Sequence, residues 1–139
     1  MTRILIIDDD EAITTLLRRA LERNGYEVTT AANGREGVRL FCSAPADLVI
    51  SDILMPEMDG LEAIKELRRW SPNLKLVAVS GGGLRLKMDV LRVAELLGAA
   101  ATFEKPYKIE DLLATIRQLL ARTAIVNSAK QRDDPFSKP

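Results

Sequence analysis

The stretch that decides the fold is Asp47-Leu48-Val49-Ile50-Ser51-Asp52-Ile53-Leu54-Met55-Pro56-Glu57-Met58-Asp59-Gly60. It begins with a continuous apolar run at 48–50, which is typical of a parallel strand that is covered on both faces. The run ends at an aspartate, a loop that contains proline follows, and the apolar spacing predicts an inward-facing helix over Leu61–Arg69. The stretch therefore predicts a strand–loop–helix unit with Asp52 at the carboxyl end of the strand.

This strand-then-helix unit recurs along the chain. Buried strands are predicted at Arg3–Ile7, Tyr26–Ala31, Asp47–Ser51, Leu74–Ser80 and Ala101–Glu104. Helical apolar stripes are predicted at Ile13–Leu21, Gly34–Phe41, Leu61–Arg69, Leu86–Leu97 and Ile109–Leu120. The alternation predicts an α/β fold, namely a doubly wound five-stranded parallel sheet that is flanked by five helices. Residues 1–122 are predicted to form this domain, and residues 123–139 to form a polar tail that is partly disordered.

The composition excludes several classes of function. The 139 residues carry 20 basic and 20 acidic side chains, which argues against a nucleic-acid partner held by bulk charge. The chain has no histidine, which excludes Ser-His-Asp catalysis, most zinc sites and a role as a histidine phosphodonor. Its one cysteine excludes an internal disulfide and favours a reducing, cytoplasmic setting. No apolar segment approaches the roughly 18 residues that span a bilayer, so we expect no membrane partner.

Polar residues with related chemistry gather where the predicted strands end. Asp8 and Asp9 follow the first strand, Asp52 follows the third, Ser80 ends the fourth and Lys105 follows the fifth. In a doubly wound sheet these side chains meet at the carboxyl edge. Clustered carboxylates repel one another unless a cation compensates, and a hard divalent ion such as Mg²⁺ or Mn²⁺ suits the oxygen ligands best. A lysine and a hydroxyl beside such an ion are suited to an anionic phosphoryl group.

Four segments resemble, in order and in spacing, the receiver domain of two-component response regulators. The segments are Ile4-Leu5-Ile6-Ile7-Asp8-Asp9-Asp10, Asp47–Gly60, Val77-Ala78-Val79-Ser80-Gly81 and Lys105-Pro106-Tyr107. The resemblance covers about residues 2–122. It implies a flavodoxin-like receiver fold and a signalling phosphoacceptor rather than a metabolic enzyme.

The resemblance implies a phosphoacceptor and a metal site. Asp52 matches the phosphoacceptor, and Mg²⁺ would be held by Asp8, Asp9, Asp52 and the backbone carbonyl of Leu54. Asp9 matches the acid that coordinates the ion directly, whereas Asp8 matches the acid that acts through a water.

Further positions match residues around the phosphoryl group. Ser80 matches a hydroxyl that moves toward it, Lys105 matches a lysine that contacts it, and Gly81 matches a small residue that leaves the site open. Pro106 follows the position at which the family often has a cis peptide bond. One position departs from the family, because receivers commonly carry Tyr or Phe three residues before the lysine and this chain has Thr102. The departure leaves the phosphorylation chemistry intact and puts the usual route of signal propagation in doubt.

The resemblance thus implies a phosphorylation-dependent switch in a two-component or phosphorelay system. Asp52 would accept a phosphoryl group from a sensor histidine kinase or a histidine phosphotransfer protein. Because only residues 123–139 follow the predicted domain, we expect a stand-alone receiver whose output is a downstream protein partner or a homodimer. Its only catalysis would be its own phosphorylation and autodephosphorylation.

Two alternatives stand beside this interpretation. The first is a receiver-like protein-binding module that acts independently of phosphorylation, which Thr102 favours. The second is a phosphatase of the haloacid dehalogenase type with Asp8 and Asp10 as its motif. The second fits poorly, because Glu11-Ala12 stands where that motif has other residues.

Overall fold

Five parallel strands form one sheet in the structure, a computed structural model that describes residues 1–53, 60–81 and 91–132, with side chains as far as residue 121. The strands are β1 (Arg3–Ile7), β2 (Glu27–Ala31), β3 (Leu48–Asp52), β4 (Lys75–Ser80) and β5 (Ala101–Glu104). The helices are α1 (Glu11–Arg23), α2 (Gly34–Ser43), α3 (Gly60–Trp70), α4 (helical over residues 91–96) and α5 (Ile109–Arg132). The predicted α/β fold is confirmed.

The strand order in the sheet is β2-β1-β3-β4-β5, with every neighbouring pair parallel. The chain moves outward from β1 to β2 and then returns past β1 to β3, so the direction of winding reverses between β1 and β3. Such a reversal opens a crevice at the carboxyl ends of the two strands. This crevice is therefore where the topology of the fold puts a site.

Two apolar layers cover the two faces of the sheet. One layer lies under α2, α3 and α4, and the other under α1 and α5. Successive residues of a strand point to opposite faces, so Ile4 and Ile6 of β1 pack with α1 and α5, while Leu5 and Ile7 pack on the other side. Burial on both faces explains why the strands are continuous apolar runs rather than alternating ones.

Several predicted boundaries differ by one or two residues, and two of the differences bear on the site and on the tail. Asp52 is the last residue of β3 rather than the residue after the strand, since β3 extends to pair Asp52 with Val79 of β4. Helix α5 continues through Arg132, past the boundary predicted at residue 122, so 123–132 are helical. No glycine or proline interrupts the chain between the start of α5 and that point, so nothing in the backbone stops the helix.

Two predictions about secondary structure and order lie outside the described residues. One is the start of the fourth helix, at residues 86–90. The other is the disorder predicted for the end of the tail, at residues 133–139.

The start of α1 is defined by Asp10. Its side chain accepts hydrogen bonds from the backbone N–H groups of Ala12 and Ile13, at 3.0 and 3.3 Å, as an N-cap does. This carboxylate is therefore committed to the helix end, which counts against the phosphatase alternative, in which Asp10 would act in the chemistry.

Arg68 joins the ends of three elements at the opposite edge of the sheet. Its guanidinium donates to the carbonyl oxygens of Pro72 and Leu74 at 2.8 Å each and to that of Gly98 at 2.7 Å. These bonds tie the end of α3 to the segment before β4 and to the turn after α4. Arg69, its neighbour, has an exposed side chain that pairs with Glu66 at 3.3 Å.

Replacing Arg68 by methionine should lower the free energy of unfolding by about 1–2 kcal/mol, because three carbonyl groups lose a charged donor. Urea unfolding followed by circular dichroism measures the change. Arg69→Met is the matched control and should change the stability by less than about 0.5 kcal/mol, since an exposed ion pair contributes little. Equal losses in the two variants would contradict the proposed role of Arg68.

Candidate phosphoacceptor site

The carboxyl ends of β1 and β3 bring two aspartates together. Asp8 and Asp52 are buried, with 6% and 5% of their surfaces exposed. The N–H of Asp8 donates to the carbonyl of Ala31 at 3.0 Å, and its Oδ1 accepts from the N–H of Asp10 at 2.9 Å. Asp8 is thereby fixed in place by β2 and by the start of α1.

Lys105 supplies the positive charge between these acids. Its Nζ lies 3.1 Å from Oδ2 of Asp8 and 3.2 Å from Oδ2 of Asp52. Its backbone N–H donates to the carbonyl of Ser80 at 2.8 Å, which continues the pairing of β4 with β5. Strand pairing therefore fixes the backbone of Lys105, and the two carboxylates fix the position of its ammonium group.

The acidic side chains also fit a divalent cation. Asp8, Asp9 and Asp52 each offer a carboxylate oxygen, and these oxygens lie within 4.8 Å of one another. Asp52 and Asp8 are buried whereas Asp9 is exposed. Oδ1 of Asp52 is buried and has no hydrogen-bond partner among the described residues. A buried carboxylate oxygen without a partner is costly, and a hard cation or a phosphoryl group at that atom would remove the cost.

The fourth predicted ligand, the backbone carbonyl of Leu54, lies outside the described residues.

Burial and charge change the acidity of this pair. Burial, followed by the neighbouring charge of Asp8, raises the pKa of Asp52 to about 6, although Lys105 opposes the rise. Burial by itself would lower the pKa of Lys105, but the carboxylates of Asp52 and Asp8 outweigh it, and the net shift is upward. The ionised carboxylate of Asp52 therefore destabilises the folded state, whereas Lys105 remains a protonated cation.

The end of β4 adds a hydroxyl beside the site. Ser80 is fully buried, and its Oγ donates to the carbonyl of Gly81 at 3.1 Å. A Cβ at Gly81 would lie 3.5 Å from Cδ of Lys105, which is ordinary contact. A small residue at 81 therefore borders the lysine without crowding it. The peptide bond between Lys105 and Pro106 is cis.

Thr102 and Phe103 lie on opposite faces of β5. Thr102 pairs with Ala78 and Phe103 with Val79 in the register of the two strands. Phe103 packs against the layer under α1 and α5, on the face that strand alternation predicts for it. The aromatic ring at 103 is thus on the other side of the sheet from Thr102.

Gly60 is a positioning residue whose role was not predicted from the sequence. As the first residue of α3, it donates its N–H to the carbonyl of Ile53 at 2.8 Å. A Cβ at this position would meet the carbonyl oxygen of Asp52 and would lie 2.5 Å from Cα of Ile53. Only glycine lets α3 approach the backbone of Asp52 this closely. The Asp-Gly pair that ends the opening stretch is the signal that could have indicated it.

Replacing Gly60 by alanine should lower the free energy of unfolding by about 1–2 kcal/mol, since backbone atoms have to move to admit the methyl group. Thermal or urea unfolding measures the loss. Gly81→Ala is the control, because its methyl group makes only ordinary contact, and it should be neutral or slightly stabilising. If Gly60→Ala were as stable as Gly81→Ala, the close approach of α3 to Asp52 would be wrong.

Comparison with known proteins shows the family. The family model described as the response regulator receiver domain matches residues 4–117. The chain belongs to this family. Receiver domains are phosphoacceptor signalling modules that bind Mg²⁺ at an acidic pocket and interact with histidine kinases or phosphotransfer proteins.

Similar proteins agree with this assignment. The response regulator MprA of Mycolicibacterium vanbaalenii is 41% identical over 122 residues, which are 87% of this chain and 51% of that protein. MprA of Mycobacterium bovis is 37% identical over 136 residues, which are 97% of this chain and 57% of that protein. The chain thus spans about half the length of the curated relatives it matches.

Solved receiver structures share the fold. A response regulator receiver domain protein from Clostridium thermocellum superposes with a TM-score of 0.82 at 30% identity, covering 91% of this chain and 99% of that one. A CheY-like receiver domain protein from Methanospirillum hungatei has a TM-score of 0.82 at 33% identity, covering 88% and 95%. Within the described residues, none of the helices of this receiver has the length and apolarity to cross a bilayer.

Proposed function

We propose that this receiver is a signalling switch that accepts a phosphoryl group on Asp52 from a histidine kinase or a histidine phosphotransfer protein. The observation that carries the proposal is the environment of Oδ1 of Asp52. This oxygen is buried, has no hydrogen-bond partner among the described residues, and belongs to a carboxylate whose other oxygen contacts Lys105. A nucleophilic oxygen is thus available next to a fixed cation.

The reaction is a transfer between two nucleophiles. An oxygen of Asp52 forms a bond to phosphorus while the bond from phosphorus to the donor's imidazole nitrogen breaks. The nitrogen keeps the electron pair of that bond, and the product is an acyl phosphate on Asp52. The donor histidine has to come from another protein, because this chain contains none.

Three groups of the receiver would act on the transferred phosphoryl. Lys105 is placed to neutralise negative charge as it spreads over the phosphoryl oxygens, which is the main task of a protein in phosphoryl transfer. Ser80, at the end of β4, would donate its hydroxyl to one of those oxygens in place of its present bond to the Gly81 carbonyl. Mg²⁺ held by Asp8, Asp9 and Asp52 would supply further positive charge at the same oxygens.

The same arrangement would let water remove the phosphoryl group from Asp52. On this proposal, the receiver catalyses only its own phosphorylation and autodephosphorylation. A downstream protein partner or a second copy of the chain would then read the phosphorylated state. Transfer needs only residues within 4–117 and does not depend on what else is joined to them. The expectation of a stand-alone receiver stays a prediction, since the chain covers only 51% and 57% of the two relatives.

The test is incubation with acetyl phosphate and Mg²⁺, followed by intact-mass measurement. The expected result is one added phosphoryl group that is lost in alkali, as acyl phosphates are. Asp52→Asn should take up none, while Asp111→Asn, which removes an exposed carboxylate in the first turn of α5, should match the parent. Uptake by Asp52→Asn equal to that of the parent would refute the assignment of Asp52.

A second candidate function is a protein-binding module that acts independently of phosphorylation, and Thr102 favours it because this residue offers no aromatic ring to couple to Ser80. The two candidates differ in what the site does to the rest of the domain. Under the second candidate, beryllofluoride and Mg²⁺ would leave the amide resonances of α4, β5 and α5 unchanged. Under the first, resonances outside the site would shift.

A further inference from the structure

Two aromatic rings lie just beyond the site on the α1–α5 side of the sheet. The rings of Phe103 and Tyr107 meet edge to face, with centroids 5.9 Å apart and planes inclined at 60°. Both pack against the apolar layer under α1 and α5. This geometry is the favourable one for an aromatic pair, so a displacement of one ring changes the contact of the other.

A groove runs alongside Tyr107 and Lys105. It has a volume of about 390 Å³ and is lined by Ile13, Leu16, Gly81, Lys105, Tyr107 and Ile109, among others. Lys105 therefore belongs both to the site and to the groove. Its ammonium group contacts Asp8 and Asp52, while the residue also forms part of the groove wall beside Tyr107.

The charge of the site is also felt at the second ring. Burial, followed by the charge of Asp8, raises the pKa of Tyr107 to about 12. The phenol thus lies within the electrostatic field of the carboxylates, in addition to sharing the groove with Lys105. Thr102 lies on the opposite face of β5, so it neither lines this groove nor takes part in the contact between the two rings.

We propose that occupation of Asp52 is transmitted through Lys105 to the Tyr107–Phe103 pair and to the α1–α5 groove, so that the surface that changes is on this face of the sheet rather than on the Thr102 face. The inference rests on the proposed function, because it needs a phosphoryl group or its analogue on Asp52. Phe103 and Tyr107 would then couple the site to the surface, a role that Thr102 cannot fill because it has no aromatic ring.

The ammonium group of Lys105 links the phosphorylation site to the groove. At present it contacts the two carboxylates at 3.1 and 3.2 Å. A phosphoryl group bonded to Asp52 introduces new anionic oxygens, and the ammonium group moves toward them because they carry more charge than the phosphorylated carboxyl. The lysine side chain moves with it, and the groove wall between Tyr107 and α1 changes shape. Leu16, whose surface is 57% exposed, lies at this groove and carries the change outward.

The experiment is NMR of the full chain with ¹³C-labelled tyrosine rings and leucine methyl groups, before and after addition of Mg²⁺ and beryllofluoride. The chain has two tyrosines, and Tyr26 precedes β2 at the far edge of the sheet, so it serves as the internal control. The ¹⁹F signal of bound beryllofluoride reports occupation of the site independently. We expect the ring signals of Tyr107 and the methyl signals of Leu16 to shift, and those of Tyr26 and Leu96 to stay.

Two variants separate coupling from mere proximity. Phe103→Leu should bind beryllofluoride as the parent does but reduce the shift at Leu16 at least about 2-fold. The reason is that Tyr107, which lines the groove together with Leu16, loses its edge-to-face contact with the ring of Phe103. Thr102→Val should keep both the binding and the Leu16 shift. A Leu16 shift that is unchanged in Phe103→Leu, or that is smaller than the shift at Leu96 in the parent, would overturn the inference. Absence of a bound ¹⁹F signal in the parent would instead refute the proposed function, and the inference with it.

Discussion

Replacing Lys105 by methionine should slow the phosphorylation of Asp52 by acetyl phosphate about 100-fold or more, the loss expected when one fixed charge is removed from a transition state. The ammonium group lies 3.2 Å from Oδ2 of Asp52 and 3.1 Å from Oδ2 of Asp8, so it is already at the place where charge develops. Methionine keeps an unbranched apolar stem and is only one atom shorter than lysine. The loss can therefore be assigned to the charge rather than to packing.

Lys108→Met is the matched control, since Lys108 is exposed and lies three residues further along the chain. It should be phosphorylated at the rate of the parent. The measurement is the initial rate of phosphoprotein formation, resolved by mass, at saturating Mg²⁺. A Lys105→Met rate within a factor of about three of the parent would show that the lysine is not part of the transfer machinery.

Replacing Asp52 by asparagine should stabilise the fold by about 2 kcal/mol at pH 7.5 in the absence of divalent cations. Burial, and after it the charge of Asp8, raises the pKa of Asp52 to about 6 from a usual value of 3.8. Each unit of such a shift corresponds to about 1.4 kcal/mol, so the whole shift corresponds to about 3 kcal/mol, which partial solvent screening reduces to about 2 kcal/mol. The ionised carboxylate is thus a cost to the folded state, and asparagine removes the charge while keeping the shape.

The sign of the pH dependence follows from the direction of the shift. Because the folded state holds the Asp52 proton more tightly than the unfolded state, the parent loses stability as the pH rises from about 4 to about 6 and no more above that range. Below about pH 4 the carboxyl is protonated in both states and the cost vanishes. The advantage of Asp52→Asn should therefore be full at pH 7.5 and should shrink as the pH falls through 6.

The measurement is urea unfolding of both proteins between pH 4.5 and 7.5, with EDTA and then with Mg²⁺. Taking the difference between the two proteins at each pH removes the contribution of the other carboxylates. Mg²⁺ should narrow the difference, because Asp8, Asp9 and Asp52 together suit the ion and asparagine weakens the site. Asp111→Asn, which removes an exposed charge at the start of α5, should not be stabilising.

A parent that is more stable than Asp52→Asn at pH 7.5 without Mg²⁺ would contradict this account. The carboxylate would then be a stabilising partner of Lys105 rather than a buried charge kept for chemistry. The same comparison bears on function, since a side chain that destabilises the fold is retained for what it does.

Much of the architecture was predictable because it depends on local patterns. The apolar run at 48–50 predicts a strand that is buried on both faces, and parallel strands in a doubly wound sheet expose their carboxyl ends at one edge. Asp8, Asp52 and Lys105 were therefore predicted to meet there, and the structure brings them together. The end of α5 was predicted wrongly, because a change to polar composition after residue 122 is a weaker stop signal than a glycine or a proline.

By itself, the sequence determined the fold class, the edge of the sheet that carries the site, and the kinds of side chain found there, since strand and helix periods are properties of neighbouring residues. Only the tertiary structure decided how those side chains act on one another. The contact of Lys105 with Asp8 joins residues 97 positions apart, and the close approach of Gly60 to the backbone of Asp52 depends on how α3 packs. The raised pKa of Asp52 likewise comes from the exclusion of water. Distance through space and burial are set by the packed whole, which no local pattern in the chain specifies.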